Sequence, residues 1–233
     1  MTIFLEYMTT FFEGVVAFFE VAAKFAPKFL PAVGLTLELS ILSILLGTVF
    51  GLLVMLLKLT RLKVLEKITD VYISIVRGTP LLLQLYFIFY GLPMLGLEFD
   101  SFTSACIGLA FHSGAYISEI FRGAINAVHY GQEEAGKAIG LNRLEIFYHI
   151  TLPQAVKQAI PALGNQFIIA VKDSSLASII TITETMLIAR QFVAATFNPF
   201  PILFVAGCYY YIIITLLSFG LRSVERRLKV NER

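Results

Sequence analysis

Charge is what this sequence has least of. Only 15% of its 233 residues are Asp, Glu, Lys or Arg, whereas 58% are hydrophobic and the mean hydropathy is +0.81. A soluble globular domain carries about 25% charged residues, so the composition excludes one and implies a membrane protein. The net charge is only +2, and the bases lie beside apolar runs instead of forming one patch, which excludes nucleic acid as a partner. Cysteine is scarce as well. Cys106 and Cys208 stand singly inside apolar stretches, so neither a disulfide framework nor a CxxC metal site is present. His112, His129 and His149 have none of the spacings of a zinc site. There is no GxxxxGK followed by Ser or Thr, and no GxSxG. If ATP is spent, another chain must hydrolyse it, and the lack of paired catalytic side chains argues against an intramembrane enzyme.

A basic opening is also missing, so residues 1–31 do not read as a signal peptide. Glu6, Glu13, Glu20, Lys24 and Lys28 fall on one helical face, opposite Phe11, Phe12, Val15, Phe18, Phe19 and Ala22. That pattern predicts an amphipathic interfacial helix over 1–31, lying on the membrane.

What the chain does have is apolar runs long enough to cross a bilayer, which takes about 20 residues in a helix. Four are plain: about 32–57, 79–96 with an entry at Tyr72 to Val76, 101–125 and 201–221. The stretch 158–196 is too long for one straight crossing and is interrupted by Pro161, Asn165 and Lys172-Asp173-Ser174-Ser175. It predicts one broken helix, its first half ending at Val171 and its second starting near Leu176, with the freed backbone facing protein or a cavity. Lys58, Arg61, Lys63, Lys67 and Arg77 follow the first crossing, and Arg222, Arg226, Arg227, Lys229 and Arg233 follow the last. The loop at 97–100 carries only Glu98 and Asp100. Both basic clusters are therefore expected on the cytoplasmic side, the N-terminus outside and the C-terminus inside, although Lys24 and Lys28 weigh the other way. The fold class expected is an all-α integral membrane protein with five transmembrane helices over 32–225 and a basic tail at 226–233. Five crossings without an internal repeat cannot build a two-lobed secondary carrier alone.

Between these runs lies a polar stretch, GQEEAGKAIGLNRLEIFYHITLPQA, at 131–155. Glu133 and Glu134 suit the first turn of a helix, where the macrodipole favours acids, and Gly140 suits a left-handed cap. Asn142 with Glu145 forms a capping-box start for a second helix. Its apolar face runs through Leu144, Phe147, Tyr148 and Thr151, and Pro153 is expected to end it. A cytoplasmic helix-turn-helix follows, which on physical grounds is either a connector or a docking element.

The order Glu134-Ala135-Gly136, then Gly140, then Ile150-Thr151-Leu152-Pro153 resembles the "EAA" motif of the membrane subunits of ABC importers. Further blocks resemble the polar amino acid permease branch of that family: RGTPLLLQLYF at 77–87, AYISEIFRGAI at 115–125, GQEEAGKAIG at 131–140, LPQA at 152–155, and PALGNQF with KDSSL between 161 and 176. The resemblance spans about 32–225. It implies a type I permease in the bacterial cytoplasmic membrane, paired with a second permease, the same or related. Two ATPase subunits carrying ATP and magnesium, and an extracytoplasmic amino acid-binding protein, complete the assembly it implies, with no cofactor in this chain. The loop 128–156 would hold the coupling helix, through Glu134, Ala135, Gly136, Gly140, Leu152 and Pro153. Gly136 stands where the family usually has alanine, a change that loosens the helix by up to about 1 kcal/mol.

Polar side chains within the membrane are costly and mark candidate sites. His112, Tyr116, Glu119 and Gly123 are spaced to line one helical face, with Arg122 at its cytoplasmic end. Glu119 either bonds a neighbouring helix or attracts an amino acid's ammonium. Lys172 and Asp173 either form a self-satisfied kink or meet the two charged ends of a substrate, with freed amides at Ser174 and Ser175 holding a carboxylate. Glu184 and Glu38 are further candidates to line a path. Counting Glu38, Glu119, Asp173 and Glu184 against Lys172 tilts the preference towards a basic amino acid. Gln84 and Asn165 read as backbone-satisfying, and Gly47 and Gly51 as a GxxxG close-packing site.

Overall fold

The computed structural model describes residues 2–60 and 62–230, and among them every regular element is helical. In chain order these are α1 (Thr2–Phe25), α2 (Leu30–Leu59), α3 (Lys63–Gly78), α4 (Leu81–Tyr86), α5 (Ser101–Asn126), α6 (Tyr130–Ala138), α7 (Arg143–Ile146), α8 (Leu152–Asp173), α9 (Thr185–Thr196) and α10 (Pro199–Val230). Short 3-10 and π turns join several of them. At about 1.5 Å per residue, α2 and α10 each exceed the hydrocarbon thickness of about 30 Å. On length and composition the described residues hold two such helical runs, or up to four if each bent pair is one crossing.

The N-terminal segment departs from expectation. There is no break at residue 31. α1 passes through a 3-10 turn, Ala26–Phe29, into α2, so that Thr10–Leu59 is one 50-residue helical run. Pro27 and Pro31 are tolerated because each sits at a first-turn position that needs no N–H. The charged face is as read, with Glu13, Glu20, Lys24 and Lys28 exposed. The C-terminal part of the opposite face, however, meets protein, while Phe11, Phe12 and Phe19 stay exposed. Ala22, Phe25 and Phe29 are buried with Ala189 of α9 and Ile202, Val205 and Ala206 of α10, and the Phe18 ring packs on Phe200 and Phe204. Phenylalanine at this spacing finds better-packed partners in a neighbouring helix than in lipid. The tail boundary shifts too, since α10 continues helical through Val230.

At the centre stands α5, most of whose residues are covered by neighbours. Asp100 caps it by accepting from the Phe102 and Thr103 amides, and the Thr103 hydroxyl beside the carboxylate holds its pKa below the usual range. α2 and α5 make the tightest pair, and the reason is small side chains. A Cβ on Gly51 would lie 2.8 Å from Ile117 and 2.9 Å from the Gly114 carbonyl oxygen, and one on Gly47 would lie 3.1 Å from the Ala110 oxygen. The GxxxG reading holds. Leu39, Leu81, Leu85, Leu109, Ile180 and their neighbours fill the main core beside this contact.

Two helical runs are bent. α3 meets the run Leu81–Leu95 at 109°, with the break at Thr79-Pro80. The other bend, 50°, falls between Arg143–Ile180 and Thr185–Thr196. That is later than the break expected at 172–175: Pro161 is absorbed inside α8, and Ser174–Ile180 continues as a 3-10 helix. The turn comes at Thr181, a left-handed residue. Pro153 likewise does not end its helix. A π turn, Phe147–Thr151, precedes it, just as another, Phe87–Gly91, precedes Pro93. In both places the wider turn lets a residue without an N–H enter a continuous helical run.

The α2–α5 contact yields a test. Gly51→Ala should destabilise the detergent-solubilised protein by about 1–3 kcal/mol through overpacking. Gly34→Ala, on the same helix but with open space around it, should raise stability slightly through helix propensity. Thermal unfolding of the two variants side by side distinguishes them, and equal melting temperatures would contradict the close approach.

Candidate functional site

The polar hairpin folds as an elbow with two arms. His129 Nδ1 accepts from the Gly131 amide to start α6, and Glu133 pairs with Lys137 at 2.8 Å, holding the lysine's pKa above its ordinary value. At its end Gly140 takes φ +85°, the Leu141 amide donates to the Gly136 carbonyl at 3.1 Å, and the Gly140 amide donates to Lys137. This is a Schellman-type stop, and only glycine enters that conformation without strain. The capping box then restarts the chain: Asn142 accepts from Leu144 and Glu145, while the Glu145 carboxylate accepts from the Asn142 amide at 2.7 Å.

Gly136 has a role the sequence did not suggest. It is buried where the arms touch, and a Cβ there would lie 2.9 Å from both Ile146 and Ile150. Its smallness serves the packing between the arms, not an outer surface. Glu134, Ala135 and Pro153 are exposed, and Leu152 is half-buried. Tyr130, Ile139, Leu144 and Tyr148 present large exposed apolar surface on the elbow. A monomer rarely leaves such a patch bare.

Several of the polar candidates are engaged by other groups of the protein. Glu119 accepts two hydrogen bonds from Arg122, at 3.0 and 2.7 Å, and lies 3.6 Å from Lys58, which in turn pairs with Asp70 at 2.7 Å. The four charges tie α2, α3 and α5 beside a cavity of about 360 Å³ lined by Met55, Lys58, Glu66, Glu119, Arg122 and Asn126. Glu119 thus pairs with Arg122 of its own helix, reaches Lys58 of α2, and also lines this cavity. Lys58 and Asp70 were legible in the sequence only as members of a basic cluster and its surroundings.

His112 and Tyr116 face the bend between α3 and α4. Gln84 Nε2 donates to the carbonyls of Val76 (2.8 Å) and Thr79 (3.1 Å), which the bend leaves without helical partners. The Gln84 carbonyl oxygen faces His112 Nδ1 at 3.0 Å, so that nitrogen carries the proton. The His112 and Tyr116 rings are neighbours, 5.2 Å apart, and the Arg77 guanidinium lies 5.4 Å from the Tyr116 ring. Gln84 satisfies backbone, as its residue type suggests; that His112 holds it in place had no sequence signal.

Glu184 is fully buried. One oxygen caps α9 through the Met186 and Leu187 amides (2.8 and 2.9 Å), and the other accepts from the Tyr210 hydroxyl at 2.7 Å. Thr36 and Thr185 bond to each other alongside, at 2.8 Å, joining α2 to the same bend. The freed amides expected at 174–175 are also absent. The Ser174 amide donates to the Ala170 and Lys172 carbonyls, and both serine hydroxyls bond back to their own helix. Lys172 is exposed and Asp173 half-buried, with no ion pair between them, so no Lys-Asp kink forms. Among the described residues Asp173 has no hydrogen-bond donor and no ion pair, and Glu38 stands exposed on α2. A carboxylate at either depth faces a cavity or a partner, not hydrocarbon.

A helical protein with long apolar helices, bent runs and a capped polar elbow fits a membrane permease of the ABC-transporter kind. The comparisons make this specific. The chain belongs to the family described as "Binding-protein-dependent transport system inner membrane component", whose model matches residues 43–230. It is 38% identical over 207 residues to the arginine transport system permease protein ArtQ of Bacillus subtilis, covering 88% of this chain and 94% of that one. It is 38% identical over 206 residues to the glutamine transport system permease protein GlnP of Escherichia coli K12, with the same shares. A crystal structure of an amino acid ABC transporter with histidines superposes with a TM-score of 0.85 at 34% identity, covering 88% of this chain and 96% of the other. The inward-facing methionine transporter MetNI, at 22% identity and a TM-score of 0.71, shares the fold. This protein is an amino acid ABC-transporter permease.

The bend between α3 and α4 provides a second test. Gln84→Leu leaves the Val76 and Thr79 carbonyls unsatisfied, at about 1–3 kcal/mol for each buried group. His112→Ala removes the clamp on Gln84 and the ring contact with Tyr116 but leaves both carbonyls with their donor. The leucine variant should therefore melt clearly below the alanine variant in detergent; the reverse order would mean that Gln84 does not hold the break.

Proposed function

We propose that this chain is the membrane subunit of an importer whose ATP hydrolysis takes place on separate subunits, which hold the ATP and magnesium and grip the elbow 130–151. The observation that carries the proposal is the elbow itself: a rigid, doubly capped pair of short helices that exposes Glu134, Ala135 and four large apolar side chains. In this reading two ATPase subunits bind two such elbows, one from this chain and one from a second permease, the same or related. An amino acid arrives from an extracytoplasmic binding protein, and closure of the ATPase pair drives alternating access. The N-terminus is outside and the C-terminus cytoplasmic, in keeping with the basic residues after α2 and on α10.

For the cargo, we favour a cationic amino acid. Of the four acids at membrane depth, Glu119 and Glu184 are satisfied by protein donors, leaving Asp173 and Glu38 to meet a positive charge. A relative named for arginine transport supports this, and relatives named for glutamine transport support a neutral one. Asp173→Asn should lower arginine uptake far more than glutamine uptake in proteoliposomes containing the full complex. An equal fall in both would remove Asp173 from substrate selection.

Gly140→Val tests the elbow. A side chain at φ +85° costs about 1–2 kcal/mol, a factor of about 5–30 in an equilibrium. Stimulation of ATPase activity by loaded binding protein should fall by about that factor while membrane insertion and the yield of the chain are unchanged. Unaltered stimulation would refute the coupling role.

A further inference from the structure

We propose that α3 lies in the inner-leaflet interface and, with the groove between α2 and α5, holds an anionic phospholipid. The helix has three distinct faces. Thr69, Ile73 and Val76 are buried, packing with Tyr72 against Val54 and Ala115. Val64, Ile68, Val71 and Ile75, at spacings of 4, 3 and 4, form a stripe that is 71%, 58%, 50% and 58% exposed. Lys63, Glu66, Lys67, Asp70, Ser74 and Arg77 make the third face, all exposed. Asp70, Glu66 and Arg77 of that face meet Lys58, the adjoining cavity and the Tyr116 ring, but a helix crossing the bilayer has no use for Lys63 and Lys67 turned outwards beside an exposed apolar stripe. A helix lying along the interface does, with its apolar stripe in the acyl region and its polar face towards the headgroups and cytoplasm. The 109° bend to the following segment supports this placement, because α3 does not share that segment's direction.

The stripe leads to a groove. The Tyr72 hydroxyl donates to the Phe111 carbonyl at 2.6 Å, and its ring packs edge-on against Phe111 and Phe50, at 4.8 and 5.5 Å. Phe50 and Phe111 wall a cleft of about 310 Å³ between α2 and α5, whose other lining residues include Leu46, Val49, Leu53 and Ala110. That lining is almost wholly apolar, as an acyl chain requires. From Tyr72 back to Lys67 and Lys63 is five and nine residues of helix, about 8 and 13 Å at 1.5 Å per residue. A single lipid spans that distance. Among the described residues neither lysine has an ion pair. Asp70 on the same face is already neutralised by Lys58, so the free charges of the face are mainly positive. An apolar stripe and groove ending in two unpaired lysines on the cytoplasmic side match a phospholipid with a negative headgroup. A soluble anion would fill only one half of the site.

The test is native mass spectrometry of the full-length chain in detergent, titrated with phosphatidylglycerol and, separately, phosphatidylcholine of the same chain length. The wild type should retain phosphatidylglycerol in preference. A lysine near an anionic surface contributes about 1 kcal/mol, or about fivefold, so Lys63→Gln with Lys67→Gln should cut that preference about 5–25-fold. Lys63→Arg with Lys67→Arg should keep it. Val49→Trp, at an exposed wall of the groove, should lower retention of both lipids while circular dichroism and elution volume are unchanged. Equal retention of the two lipids by the wild type overturns the proposal, as does undiminished preference in the double glutamine variant. Rapid disulfide formation between two copies carrying Ile68→Cys overturns it as well, since a second protein would then cover the stripe.

Discussion

Every backbone amide and carbonyl at hydrocarbon depth needs a partner within the protein, because water is not there to supply one. This constraint explains where the chain bends and which side chains stand at the bends. At Thr79-Pro80 the Gln84 amide takes over the two carbonyls that the bend leaves open, and His112 fixes the glutamine. At 181–184 the Glu184 carboxylate receives the first amides of α9, and Tyr210 holds its second oxygen. At Pro93 and Pro153 no side chain is required, since a π turn shifts the hydrogen-bond ladder by one residue. Removing water makes each of these side chains more valuable than its surface counterpart.

The same solvent gives helices little hydrophobic reason to associate, so contact depends on close backbone approach. Gly47, Gly51 and Gly114 let α2 lie against α5, and Gly108 admits Leu85 from α4. The helices at the centre are therefore held by shape, and the charges around them by pairing. Lys58, Asp70, Glu119 and Arg122 neutralise one another at the inner end of the α2–α3–α5 contact. Partly exposed pairs of this sort contribute little net stability.

Periodic and punctuating features were legible in the sequence. The apolar runs, the Asn142–Glu145 box, the Gly140 stop and the GxxxG contact follow from residue type and spacing alone, and all are present. What escaped was set by distant partners. Residues 10–25 show the same amphipathic pattern whether the apolar face meets lipid or α10, and only tertiary structure decides between them. Glu184 and Glu119 are equally plausible as path-lining acids until Tyr210 and Arg122 are placed beside them. Lys172-Asp173-Ser174-Ser175 looks like a break because it is polar, yet 3-10 geometry and serine hydroxyls bonding back along the helix keep that backbone satisfied. Pro153 was read as a helix stop, and a wider turn absorbed it.

These stitched bends also determine how a force applied at the elbow would travel. The second arm does not end at Pro153 but runs on without a hinge from Arg143 to Ile180, roughly 55 Å of helix at 1.5 Å per residue. Its inner end is clamped to the first arm through Gly136, Ile146 and Ile150, so the elbow cannot fold independently of the rod. At its outer end comes the bend at 181–184, where Glu184, Tyr210, Thr36 and Thr185 connect α9 to α10 and α2. Asp173 lies on the rod two turns before that bend. A displacement of the elbow therefore moves Asp173, which among the described residues has no hydrogen bond and no ion pair, together with the bend at 181–184, as a single body. Coupling between a cytoplasmic motor and an outward-facing opening needs no chain of small rearrangements in such a design. It needs a stiff helix, satisfied along its whole length, with its bends placed only at the two ends.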